Sequence, residues 1–215
     1  MKFVLHLKHW QLFLVTFGIP MALYICLFIA MFFTMMTNGL GGDPDFPVAL
    51  IVFGIFIGLA WFTGVLTLMI WFFQVATGLY AKRPAGSSLK IKRFYFAYFF
   101  PMIYLAIFII CMLGFTAYAS THANEMKDPA SFMWIFLVVF PLHLFAMACG
   151  MYVLYFVAKA LKSYEQQRNP ELGDFVGDFV LTWFFMIGVW FIQPRINKIF
   201  SEQPDPDSII STSPS

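Results

Sequence analysis

Charged residues fall along this chain in clusters, and four long stretches between them hold none. The stretches are Leu12–Met36, Val48–Leu79, Phe94–Ala119 and Phe132–Ala158, and none contains Asp, Glu, Lys or Arg. A helix crosses the hydrocarbon core of a bilayer with about 20 apolar residues, so each stretch predicts a transmembrane helix. The second and fourth exceed the minimum and are expected to tilt or to continue as helix beyond the bilayer. The first is too long for a signal-peptide core, which runs to about 7–15 residues. No A-x-A-like site follows it, so it reads as an uncleaved first span.

Composition agrees with this pattern. The chain has 215 residues, of which 61% are hydrophobic and only 11% charged. A soluble domain carries about 25% charged residues, so this chain lacks the polar surface to face water and lipid must solvate most of it. No basic run is interleaved with aromatics, which excludes the usual footprint of a nucleic-acid binder. The expected partner is therefore the lipid bilayer, together with other membrane proteins or further copies of the chain.

Cation placement predicts orientation. Lys2 and Lys8 precede the first span, Lys82, Arg83, Lys90, Lys92 and Arg93 separate the second from the third, and Lys159, Lys162 and Arg168 follow the fourth. The other two loops carry Asp43 and Asp45, and Lys127 between Glu125 and Asp128. The positive-inside rule then puts the N-terminus and the 80–93 loop in the cytoplasm. The spans form two in–out–in hairpins with short outer loops.

The hairpins resemble each other. Leu7-Lys8, Pro20-Met21, Asp43-Pro44 and Val75-Ala76 with Leu79 recur in order as Leu89-Lys90, Pro101-Met102, Asp128-Pro129 and Val157-Ala158 with Leu161. This predicts a tandem duplication of 7–80 and 89–162, parallel in sense, inside a four-helix bundle over 1–162. Pro20, Pro101 and Pro141 are expected to kink their helices. Gly54 and Gly58, then Ala60 and Gly64, and Ala146 with Gly150 are small residues four apart. Such spacing lets helix backbones approach in lipid, so spans two and four are expected at the bundle centre.

After the fourth span, residues 163–200 read as a membrane-associated segment. Its strictly apolar part, Val180 to Ile192, is short for a span and suits an interfacial or re-entrant helix; a fifth span is the alternative. Return to the near side keeps Arg195 and Lys198 cytoplasmic. Trp183 and Trp190 are seven apart, the spacing of anchors on one helix face. Pro194 is expected to end the helix, and Gln193 and Asn197 to satisfy backbone groups nearby. Arg195 has a lipid phosphate, Asp174 or Asp178 as expected partners. The run Trp183 to Ile199, WFFMIGVWFIQPRINKI, resembles a C-terminal motif of uncharacterised inner-membrane proteins of Bacteroidota, with Met186 standing where their pattern has proline. That resemblance implies a bacterial inner-membrane location and no particular activity. The tail 201–215 is rich in Pro, Ser and Asp and reads as disordered.

Candidate chemistry is sparse. His143 is the one ionisable imidazole within the four spans, and intramembrane ionisable groups point to function by default. With no carboxylate at its depth it is expected to hydrogen-bond across helices. Asp174 and Asp178, four apart, are expected at a helix start, where the dipole favours negative charge. His6 and His9 beside Trp10 read as an interfacial anchor, and His122 lies in an outer loop. Cys26, Cys111 and Cys149 lack metal-ligand spacing. No nucleotide, hydrolase or metalloprotease motif is present. The fold expected is an all-α membrane protein, with no catalytic, metal or cofactor site. Its role is read as a non-enzymatic accessory or scaffold subunit. A small-solute transporter or channel with a path at the repeat interface is the alternative, and a lipid- or quinone-handling enzyme a more distant one.

Overall fold

A computed structural model describes residues 5, 7–38, 46–121 and 129–201. The Asp43-Pro44 loop, His6, His122, Glu125, Lys127 and the 202–215 tail lie outside the described residues, as do the expectations that rest on them. Among the described residues seven α-helices follow one another: α1 (His9–Phe13), α2 (Ile19–Asn38), α3 (Phe46–Ala81), α4 (Ile91–Thr121), α5 (Pro129–Gln166), α6 (Leu172–Trp183) and α7 (Phe185–Ser201). A π-helical turn, Leu14–Gly18, joins α1 to α2. No strand occurs among the described residues.

Among the described residues four helical stretches are long and apolar enough to cross a membrane: His9–Phe33, Gly54–Ala81, Ile91–Tyr118 and Leu137–Gln166. Only 11% to 17% of their apolar windows is buried within the chain, so most of that surface faces outward. Large side chains such as Phe28, Phe56, Ile110 and Leu137 are more than half exposed. In water this would expose far more apolar area than a soluble monomer tolerates; in lipid it carries no such penalty. The chain is an all-α integral membrane protein.

The chain divides into two compact units. The first comprises the residues up to Val75 together with those from Val180 on, and the second is Ala76–Phe179. The boundary between Phe179 and Val180 falls inside the 163–200 segment. The last helix belongs with the first hairpin because polar side chains tie it there, as described below.

In the first unit the packed core is aromatic. The Phe185 ring lies edge-on to Trp71 at 4.8 Å and near Phe72 and Phe17 at 5.9 Å and 6.3 Å. Leu12, Val75, Val189, Ile192 and Ile196 of the same unit are fully buried. The π-helical turn sits just before Pro20, which has no N–H to give the Thr16 carbonyl four residues back. The Thr16 hydroxyl meanwhile bonds the Leu12 carbonyl at 2.7 Å. Gly64 of α3 packs against this turn: a Cβ there would lie 2.7 Å from the Thr16 carbonyl oxygen. Only a glycine permits that approach.

The other small residues behave differently. Gly54, Gly58 and Gly150 have no described atom within 4 Å of where a Cβ would project. Their expected role in packing the chain's own helices is not met; in α3 that role falls to Gly64, beside the carbonyl that Pro20 leaves free. Pro101 and Pro141 lie inside the continuous helices α4 and α5.

In the second unit α4 and α5 pack along each other. Phe94 stacks near Phe156 at 4.7 Å and Tyr98 at 5.8 Å. Phe96, Phe100, Tyr104 and Phe108, each four residues apart, form a ring ladder along α4 with centroids 5.7, 6.4 and 6.0 Å apart. That spacing places them on one helix face. The 82–90 loop turns at Gly86, whose φ of +84° suits the third position of a turn closed by Ser87 N–H donating to the Pro84 carbonyl.

Candidate functional site

The polar run after the last apolar segment was the densest candidate in the sequence, and its geometry is internal. Gln193 is fully buried. Its side-chain oxygen accepts from the Trp71 indole N–H at 2.6 Å. Its amide nitrogen donates to the Leu7 carbonyl and to Asn197 Oδ1, both at 2.9 Å. Asn197 donates to the same Leu7 carbonyl at 3.2 Å. Both hydrogens of the Gln193 amide are thereby used, as burial requires. The four residues lock α7 to the N-terminal segment and to α3. Sequence reasoning found Gln193 and Asn197 but not Trp71 or Leu7, which look like ordinary apolar positions.

Two expectations about this segment are corrected. Pro194 does not end the helix, since α7 continues through it to Ser201. Trp183 and Trp190 do not share a helix face, because the helix breaks at Phe184 between them. Trp190 instead packs against His9 at 4.8 Å and Phe13 at 5.8 Å. The break is sharp. A Cβ on Gly188 would run into the Leu181 carbonyl, so glycine is needed for α7 to fold back there. The break forms without a proline at position 186. Arg195 is half-buried on α7.

The acidic pair opens α6. Asp174 sits in its first turn and accepts from the Glu171 N–H at 3.0 Å and from Arg168 at 2.7 Å. The Glu171 N–H, helped by the nearby guanidinium, holds the Asp174 carboxyl below its ordinary range. This is a helix-start contact with a local cation, and Asp178, one turn on, is buried.

His143 behaves as a cross-helix hydrogen-bonding group, but its partner is a side chain. The Tyr104 hydroxyl lies 3.4 Å from His143 Nδ1. Both residues come from the middle of their spans, and His143 is exposed at the surface of the second unit. Tyr104 was not singled out in the sequence; its signal was its place in the four-residue aromatic ladder. Among the described residues no group of three His, Cys, Asp or Glu side chains could hold a metal ion.

No family model, curated protein or solved structure matches this chain. The class defined by the fold, an all-α integral membrane protein with four membrane-length helices, stands on the chain's own features.

Proposed function

We propose that this protein is a non-enzymatic accessory or scaffold subunit that works by docking its spans against another membrane protein. The observation that carries the reading is the exposed Tyr104–His143 pair. A polar pair facing hydrocarbon at mid-span is costly, and ionisable intramembrane residues usually face protein or water. A partner helix over this face would remove that cost. The open Gly54–Gly58 face of α3 supports the same reading, since glycines four apart suit close helix approach and no described atom of this chain packs there.

The protein is further read as a bacterial inner-membrane protein built on two duplicated hairpins, with its N-terminus and the 80–93 loop in the cytoplasm. The C-terminal pair α6 and α7, with 12 and 17 residues, is read as a bent element returning to that side. α6 falls short of the length a span requires, and α7 interrupts its apolar run with Gln193, Arg195 and Lys198.

The test is affinity purification in gentle detergent with mass spectrometry, comparing the native chain with His143→Leu and with Gly54→Leu/Gly58→Leu. A stoichiometric membrane partner is expected with the native chain and should be depleted about tenfold by either variant. A native chain that purifies alone as a monomer defeats the reading. A homo-oligomer with no other protein would favour the transporter alternative, with its path at the repeat interface.

A further inference from the structure

A polar cavity of about 160 Å³ opens in the second unit where the charge-free parts of α4 and α5 end. Lys90, Arg93 and Lys159 line it, with the hydroxyl-bearing Ser88, Tyr152 and Tyr155. No carboxylate lines it, and among the described residues none of the three cations is in an ion pair. Lys159 is held in place: its Nζ donates to the Tyr155 hydroxyl at 3.2 Å and lies over the rings of Tyr155 and Phe175 at 5.6 and 6.0 Å. Ser88 donates to Asn169 Oδ1 at 2.9 Å, which fixes the loop at the cavity's edge.

The cavity adjoins an apolar groove along α4 and α5. Arg93 and Tyr152 also line an apolar groove of about 430 Å³ floored by Phe96, Ala97 and Cys149. Phe96 in turn begins a second apolar groove of about 350 Å³, running past Phe100 to Tyr104. From Arg93 to Tyr104 the helix rises about 16 Å. One leaflet of the hydrocarbon core is about 15 Å thick. A cationic, hydroxyl-rich head cavity thus leads into an apolar channel one acyl chain long.

We infer that this face binds an anionic glycerophospholipid, with the phosphate held by Lys90, Arg93 and Lys159 and an acyl chain laid along Phe96 and Phe100. Charge complementarity selects the anionic headgroup, and the groove's length and apolar lining select a lipid over a free phosphate. The head cavity holds neither Tyr104 nor His143, and the groove meets that pair only at Tyr104, so the lipid site does not rest on the partner-docking reading.

Native mass spectrometry of the full chain, reconstituted with phosphatidylglycerol and phosphatidylcholine in equal amounts, tests this. The native chain is expected to retain one phosphatidylglycerol in preference to phosphatidylcholine. Each cation near an anionic headgroup contributes about a fivefold factor, so Lys90→Gln/Arg93→Gln/Lys159→Gln should lower retention about a hundredfold. Lys162→Gln, a cation of the same unit that does not line the cavity, should leave it unchanged. Ala148→Trp fills the groove from an exposed position and keeps every charge; it too should lower retention, by more than about fivefold. Equal retention of the two lipids overturns the proposal. So does a groove-filled variant that retains phosphatidylglycerol as the native chain does, or displacement of the lipid by millimolar inorganic phosphate. The Ala148→Trp arm decides the matter even where the triple variant does not fold.

Discussion

Gln193 shows how much one buried amide can organise. It is the single side chain that reaches Trp71 on α3, Leu7 before α1 and Asn197 one turn along α7. Gln193→Leu would leave the Trp71 N–H buried without an acceptor, at a cost of about 1–3 kcal/mol. Trp71→Phe should cost a similar amount through the orphaned amide oxygen and the altered ring packing. The combined variant should cost less than the sum of the two, by about 1 kcal/mol, because both ends of the bond are removed together. Thermal unfolding in a single detergent measures all three, and strict additivity would refute the bond's role. A sequence reader can mark Gln193 as unusual beside an apolar run. Its partners stay hidden, because a tryptophan in a span and a backbone carbonyl near the N-terminus carry no distinguishing pattern.

At the scale of elements, glycine position decides which helix faces meet within the chain. Gly64 abuts the Thr16 carbonyl that Pro20 cannot serve, whereas Gly54 and Gly58 have nothing described near them. Gly64→Val should therefore destabilise the protein by at least about 2 kcal/mol through backbone overlap, while Gly54→Val should leave thermal stability within about 0.5 kcal/mol of native. Circular dichroism melts of both variants in detergent provide the comparison; equal losses would show the assignment to be mistaken. All three glycines carry the same four-residue signature in sequence. What separates them is which one lies opposite a proline-freed carbonyl, and that is a relation between two helices far apart in the chain. The break at Phe184 was equally hard to see, because Gly188 rather than a proline permits it.

For the whole molecule, the charge-free stretches and the cation clusters carry most of the argument. The orientation they imply predicts that Ser87→Cys and Ser208→Cys, each in a cysteine-free background, resist a membrane-impermeant maleimide in intact cells, while Thr121→Cys is labelled. Labelling of Ser208→Cys but not Ser87→Cys would make the C-terminal element a fifth span instead of a returning one. The outward apolar surface of all four membrane-length helices also sets how such variants should be handled: unfolding and binding belong in detergent or nanodiscs, where that surface is solvated.

Four membrane-length helices, their approximate limits and the all-α class were determined by the sequence alone, because crossing hydrocarbon demands long charge-free helices whatever they pack against. The candidate polar residues were also visible, since a polar group in an apolar run stands out. Tertiary structure decided what those residues do. It turned Gln193 and Asn197 inward as a lock, brought Tyr104 to His143 and gave Asp174 to Arg168. It also gathered Lys90, Arg93 and Lys159 around one cavity. Each of these pairings joins residues on separate elements, or on either side of a turn, and depends on how the helices rotate and approach. A one-dimensional pattern of apolar and polar positions does not encode that rotation when nearly every face of a span is apolar.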